Sequence, residues 1–179
     1  MNLIVRPDGA GALMDWGAGP RRCAIGPAGI AVKQREGDGI TPQGVWPVRQ
    51  IFYRPDRGPA LPTLLPQRAL ARDDGWCDAP DDPHYNRLVK LPYPASAETM
   101  WRADHLYDIV AVLGFNDAPV VAGAGSAIFL HLVQSVGESR SDQHQSQDYA
   151  PTAGCVALAR ADLVEALAQL QPGEAVVIG

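Results

Sequence analysis

Two apolar stretches decide how this chain folds: "DIVAVLG" at residues 108–114 and "SAIFLHLV" at residues 126–133. The first is nearly all apolar, so it reads as a central strand buried on both faces. The second is similarly apolar but carries His131. Side chains alternate across a strand, so His131 shares a face with Phe129 and Val133, while Ile128, Leu130 and Leu132 point the other way.

Outward from these two strands, 18 glycines and 16 prolines punctuate the chain into short segments, the pattern of a mainly β protein with many turns. Further strand candidates are residues 3–5, 30–33, 45–53 and 175–178, and the "SAIFLHLV" strand is expected over 127–133. Pro47 places the 45–53 segment at a sheet edge or a bulge. "ADLVEALAQL" sets Leu163, Leu167 and Leu170 on one helical stripe, ended by Pro172-Gly173. A second helix is expected around 96–105, after Pro94, with Ser96 as its N-cap. Residues 54–83 read as a long irregular connection. Residues 135–147, "SVGESRSDQHQSQ", read as a mobile polar loop inserted into one domain spanning 1–179.

Composition narrows the function classes. Hydrophobic residues make up 46% and charged residues 20%, as in ordinary globular proteins. Fifteen Lys+Arg against 20 Asp+Glu give a net charge of −5 with no basic cluster, which argues against a nucleic-acid partner. No apolar run reaches the roughly 20 residues of a membrane span. Leu3, Ile4 and Val5 are too few for a signal-peptide core, so the chain as it stands reads as cytoplasmic. The three cysteines, Cys23, Cys77 and Cys155, leave at least one thiol unpaired; a Cys23–Cys77 bridge would need an oxidising compartment. With no CxxC or HExxH pattern among them and the four histidines, no metal site is expected.

Cys155 lies in "YAPTAGCVALARADL", residues 149–163, after a polar loop and ahead of the helix. Two readings stand: an inert buried thiol, or a nucleophile. A nucleophilic thiol needs a base, such as a histidine, and N–H donors for the oxyanion. "TAGC" suits the second need, because Gly154 lets the chain turn and present the amides of Gly154 and Cys155. His131, held on a rigid strand, is the candidate base; a hydrogen-bonded core histidine is the alternative.

A third segment, "VKQREGDGITPQGVWPV" at residues 32–48, completes an ordered pattern with "GSAIFLHL" and "PTAGCVAL". Together they resemble the L,D-transpeptidase catalytic domain, the YkuD family. Members carry a Gly-x-x-Thr-Pro-x-Gly hairpin, a strand with the base histidine, and a Ser/Thr-x-Gly-Cys nucleophile motif. The resemblance implies a mixed β-sandwich or barrel with a few short helices and a C-terminal helix and strand. It implies Cys155 as nucleophile, His131 as base and Gly154 with neighbouring amides as oxyanion hole. It implies donor and acceptor peptidoglycan stem peptides as partners, acylation by carbapenems, no cofactor, and a periplasmic or wall location if a leader precedes this stretch. Water as acceptor would make the enzyme an L,D-carboxypeptidase or amidase instead, and loss of catalysis would leave a wall-binding domain. Many members have Ser-His-Gly-Cys followed by Arg; here Ala153 and Ala157 stand in the His and Arg positions.

Other residues are candidates for substrate contact: Thr152 and Ala153 beside the thiol, and Ser126 ahead of the histidine strand, which is also a candidate to orient His131. A backbone carbonyl would orient the ring equally well. In "GWCDAPDDPHYNRLVKLPYP", residues 75–94, Tyr85 and Arg87 stand out, and Arg87 is a candidate for the substrate carboxylate that an Arg at 157 would otherwise hold. "MWRADHLYD" reads as aromatics docking on the sheet, with Tyr107 or His105 as alternatives for lining a cleft.

Overall fold

The computed structural model describes residues 2–9, 11–138 and 147–179. Strands β1 (Leu3–Asp8), β2 (Gly11–Asp15) and β3 (Arg21–Cys23) pair antiparallel in sequence order, with Leu3, Val5, Ala12 and Met14 turned into the core. β4 (Ile30–Ala31) pairs in parallel with β5 (Thr41–Pro42), which lies inside the "GDGITPQG" segment, so the expected 30–33 strand ends at Ala31. The long β6 (Gly44–Tyr53) carries β7 (Gln67–Ala69) in parallel on its second half. A small sheet of β8 (Asp74–Cys77), β9 (Leu88–Lys90) and β10 (Ala97–Thr99) has β8 at its centre. Then come β11 (Ile109–Leu113) and β12 (Phe129–Leu132), followed by the paired β13 (Ser135–Glu138) and β14 (Gln147–Tyr149). The chain ends with β15 (Val156–Leu158), α1 (Arg160–Gln169) and β16 (Ala175–Ile178).

Nine strands form the main sheet, in the order β15-β12-β11-β6-β16-β1-β2-β3 with β7 appended to β6. Its two ends meet through reciprocal bonds between Ala24 and Ala157, at 2.8 and 2.9 Å, so the sheet almost closes into a barrel. Alternation on β11 and β12 divides the interior as their periodicity predicts. Ile109, Ala111, Leu113, Leu130 and Leu132 join the larger core with α1, while Val110, Val112 and Phe129 face a second apolar cluster that includes Cys155. Such two-sided burial explains why "DIVAVLG" has no polar position between its ends. Pro47 sits inside the sheet, opposite Ala175, beside a bulge where Val112 and Leu113 face Gln50 and Val48.

Helix α1 is the one helix among the described residues, and none there is long and apolar enough to cross a membrane. It buries Leu163, Ala166 and Leu167, with Leu170 just beyond it also buried, and Thr63 Oγ1 donates 2.7 Å to the Leu167 carbonyl near its open end. The helix expected over 96–105 is not formed. Ala97, Glu98 and Thr99 instead pair with Cys77, Trp76 and Gly75 of β8, a tertiary pairing that overrides the local helix signals. The 54–83 connection likewise contains β7 and β8. Asp74 is buried on β8 because Arg68 and Lys90 both reach its carboxylate at 3.0 Å. The ends of the expected polar loop at 135–147 pair as β13 and β14, and its middle, with His144, lies outside the described residues. All three cysteines are free, so the Cys23–Cys77 bridge is absent.

Truncating Leu167, which is fully buried, to alanine should lower stability by about 2–5 kcal/mol in urea denaturation. A loss below about 1 kcal/mol would place α1 outside the cooperative core.

Candidate active site

Parallel pairing of β12 with β15 sets the site. Leu130, His131 and Leu132 face Val156, Ala157 and Leu158, so Cys155, one residue ahead of β15, comes level with Phe129. The Phe129 N–H donates to Cys155 Sγ at 3.4 Å, and the thiol donates to the Ala127 carbonyl at 3.2 Å. Cys155 and His131 therefore lie on one face of adjacent strands, two positions apart, and both line a cavity of about 350 Å³.

The His131 ring is fixed from behind. Its Nδ1–H donates to the Leu132 carbonyl at 2.9 Å, which leaves Nε2 as the atom with the free lone pair. The Tyr107 ring packs edge-on against it with centroids 5.4 Å apart. A backbone carbonyl is thus the partner that orients the imidazole. Burial pushes the His131 pKa down to about 4 and the Cys155 pKa up to about 12. The resting pair is a neutral thiol beside a neutral imidazole.

The loop carrying the thiol is tied to the "GDGITPQG" segment. Thr41 Oγ1 donates to the Cys155 carbonyl at 3.4 Å and accepts the Gly26 N–H at 2.9 Å. Thr152 Oγ1 donates to the same carbonyl at 2.7 Å and accepts the Gly154 N–H at 3.2 Å. Gly154 has φ of 141°, which side-chain-bearing residues avoid, and a Cβ there would lie 2.8 Å from the Ile40 carbonyl oxygen. At Gly26 the approach is closer still: a Cβ would sit 2.1 Å from the Gly39 oxygen and 3.1 Å from Gly154 Cα. Three backbone segments converge there, behind the thiol.

Asn86, which the sequence marks only as one of the polar and aromatic groups on a loop suited to ligand binding, belongs to this support. It is buried with φ of 58°, and its side chain makes four hydrogen bonds. Its Oδ1 accepts from Trp76 Nε1 at 2.9 Å and from the Ala127 N–H at 3.0 Å. Its Nδ2 donates to the Phe115 carbonyl at 3.0 Å and the Asn116 carbonyl at 2.9 Å. Asn86 thereby holds Ala127, the residue whose carbonyl receives the Cys155 thiol. Neither its bonds nor its positive φ is visible in a Pro-punctuated loop sequence, although asparagine tolerates that conformation better than most residues.

Of the substrate-contact candidates, Thr152, Ala153 and Ser126 line the cavity with Cys155, Gly154 and His131. Tyr107 lines it too, its hydroxyl donating to Glu98 Oε1 at 2.6 Å. His105 lies elsewhere, with Nε2 3.0 Å from the Val133 carbonyl oxygen. Tyr85 is buried behind the wall, its hydroxyl bonded to Glu36 and accepting the Gly125 N–H at 3.0 Å. Arg87 is not brought to the cavity: it borders a separate surface pocket and donates to the Asp117 carbonyl at 3.1 Å. Lys33, Glu36, Asp78, Glu98 and Arg102 complete the cavity wall from distant segments. Among the described residues no group of three His, Cys, Asp or Glu side chains is placed to hold a metal.

Two outcomes follow from this geometry. Asn86→Ala should cost about 2–3 kcal/mol by leaving buried backbone and indole groups unpaired, and it should speed alkylation of Cys155 relative to Cys23, because the Ala127 carbonyl that holds the thiol neutral loses its anchor; an unchanged midpoint in urea would remove Asn86 from the support. Iodoacetamide labelling of Cys155, followed by peptide mass mapping, should accelerate continuously from neutral to strongly alkaline pH, because the thiolate forms only there. A rate already level below pH 7 would mean a resting thiolate–imidazolium pair instead.

Comparison with known proteins agrees with this arrangement at the level of the domain. The model of the family described as the L,D-transpeptidase catalytic domain, YkuD, matches residues 8–178. Comparisons with curated proteins and with solved structures give no match. Nearly the whole chain is covered by the family match, and the mainly β, nearly closed sheet is in keeping with it. The chain belongs to the YkuD family of L,D-transpeptidase catalytic domains.

Proposed function

We propose that this chain is a cysteine acyltransferase that remodels peptidoglycan stem peptides through a thioester on Cys155, acting as a single catalytic domain. The observation that carries the reading is that Cys155 and His131 face one cavity from adjacent strands. Peptidoglycan in its mature form lies outside the cytoplasmic membrane, so the reading puts the domain in the periplasm or at the wall.

In the acylation step, sulfur attacks a stem-peptide carbonyl while the thiol proton passes to His131 Nε2. With Cys155 raised to about 12 and His131 lowered to about 4, proton transfer ahead of attack is uphill, so proton and sulfur move together. The carbonyl π pair shifts to oxygen, where the Cys155 and Gly154 N–H groups are the proposed donors. The long Gly154 bond to Thr152 Oγ1, 3.2 Å, is the one an oxyanion displaces. One such donor contributes about 2.7–4 kcal/mol to acyl-transfer transition states. Collapse breaks the C–N bond, and the departing D-amino acid takes its proton from the imidazolium. An amine of a second stem then attacks the thioester, gives its proton to His131, and restores the thiol.

Incubation with purified muropeptides should yield cross-linked dimers or exchanged terminal D-amino acids. Both products should be absent with Cys155→Ala and reduced by about 10²-fold or more with His131→Ala. A carbapenem should add its mass to Cys155. Shortened monomers alone would make water the acceptor and the enzyme a carboxypeptidase or amidase. Binding without turnover, indifferent to Cys155→Ala, would make the chain a wall-binding domain and overturn the catalytic reading.

A further inference from the structure

Ala157 faces His131 across the β12–β15 pair, so no guanidinium enters the cavity from β15. A cation does reach it from the other side. The Lys33 side chain is only 3% exposed, and its Nζ donates to Asp38 Oδ1 at 2.6 Å and towards the Ile40 carbonyl at 3.4 Å. Its stem lies over Gly125, where a Cβ would come within 2.5 Å of Lys33 Cε. Its Nζ lies 3.6 Å from the position of a Cβ on Gly154, which puts the ammonium behind the thiol loop at the Cys155 end of the cavity.

An ammonium has three N–H groups, and two of these are engaged. The Asp38 carboxylate also accepts the N–H groups of Gln34 at 2.9 Å, Arg35 at 3.2 Å and Ile40 at 3.0 Å, so it stays ionised and fixes the position of the Lys33 ammonium. Ser126, next in sequence to the Gly125 that the Lys33 stem covers, lines the same cavity, and its hydroxyl is buried beside Tyr85 without a well-formed hydrogen bond. Among the described residues no other cation on the wall is similarly placed. Arg102 is clamped on Asp104, with Nε–Oδ1 at 2.9 Å and Nη2–Oδ2 at 2.6 Å, and lies 3.7 Å from Glu98. Of the acids on the described wall, Glu36 receives the Tyr85 hydroxyl beside Ser126, while Asp78 and Glu98 repel an anion elsewhere in the cavity.

We infer that Lys33 and Ser126 form an anion subsite that holds the free α-carboxylate of the departing D-amino acid. The assignment rests on the acyltransferase reading for the identity of the ligand. That carboxylate lies one residue beyond the scissile carbonyl, a Cα step of about 3.8 Å, which matches a subsite adjoining Gly154 and Cys155. The subsite makes the enzyme selective for donors ending in a free acid, and Lys33 takes over the task for which Arg87 is misplaced.

The test compares equilibrium binding of a synthetic stem peptide ending in a D-amino acid with that of its C-terminal amide. Both are titrated against Cys155→Ala protein, alone and combined with Lys33→Met, with the Lys33→Met/Asp38→Asn pair, or with Ser126→Ala. The paired variant removes both buried charges, so it separates loss of the subsite from loss of the fold. The acid should bind roughly 10–100-fold more tightly than the amide, as expected for hydrogen bonds to a charged group. That preference should fall to about one in both Lys33 variants and severalfold in Ser126→Ala. Equal binding of acid and amide, binding of neither, or a preference that survives both Lys33 variants would overturn the subsite. A Lys33-dependent preference for the acid, in a protein whose Cys155 form turns over no stem peptide, would keep the subsite and overturn the transpeptidase reading. Turnover of acid and amide alike would do the reverse.

Discussion

The parallel pairing of β12 with β15 is the constraint on which the site depends. It brings a thiol and an imidazole, 24 positions apart in sequence, to the same face of one sheet. It also aims the Phe129 amide at the sulfur. Parallel neighbours need a crossover, and the segment from Val133 to Pro151, including β13 and β14, supplies it. The reciprocal Ala24–Ala157 bonds on the far side of β15 lock that strand in register, so closure of the sheet and placement of the nucleophile are one structural event.

Burial of the reactive pair has a chemical consequence. Enclosure by Phe129, Tyr107 and the thiol loop removes water and keeps both groups neutral at rest. A neutral buried thiol is protected from adventitious oxidation, and the energy to separate charge must come from the bound substrate. Lys33 bears on the same balance, since its charge favours the thiolate against the larger effect of desolvation. Backbone junctions at Gly26 and Gly154 hold these parts so closely that a single added methyl group would collide with main chain.

Much of this was legible in the residues themselves. "DIVAVLG" announced a strand buried on both faces, and the Leu163, Leu167, Leu170 stripe with Pro172-Gly173 announced α1. His131 and Phe129 share a face as alternation requires. What stayed hidden depends on distant pairing: residues 97–99 carry local helix signals, but β8 recruits them as an edge strand. Asp74 gave no strand signal because its burial rests on Arg68 and Lys90. Part of the cavity wall escaped for the same reason, since Asp78 and the Glu98–Arg102 pair come from segments far from the motifs around Lys33, His131 and Cys155. The orienting partner of His131 is a main-chain carbonyl, which no side-chain pattern can display. Arg87 is a candidate for the charge gap at Ala157 by sequence, yet the chain beyond Asn86 carries it to another surface.

The most direct test of Cys155 as the nucleophile is intact-protein mass spectrometry after rapid acid quench of a reaction with a donor stem peptide and no acceptor. The expected result is a mass increase equal to the donor minus its terminal D-amino acid, mapped to Cys155, lost on hydroxylamine treatment and absent in Cys155→Ala. Product formation with no covalent adduct, or an adduct on Cys23 or Cys77 in its place, would contradict the assignment.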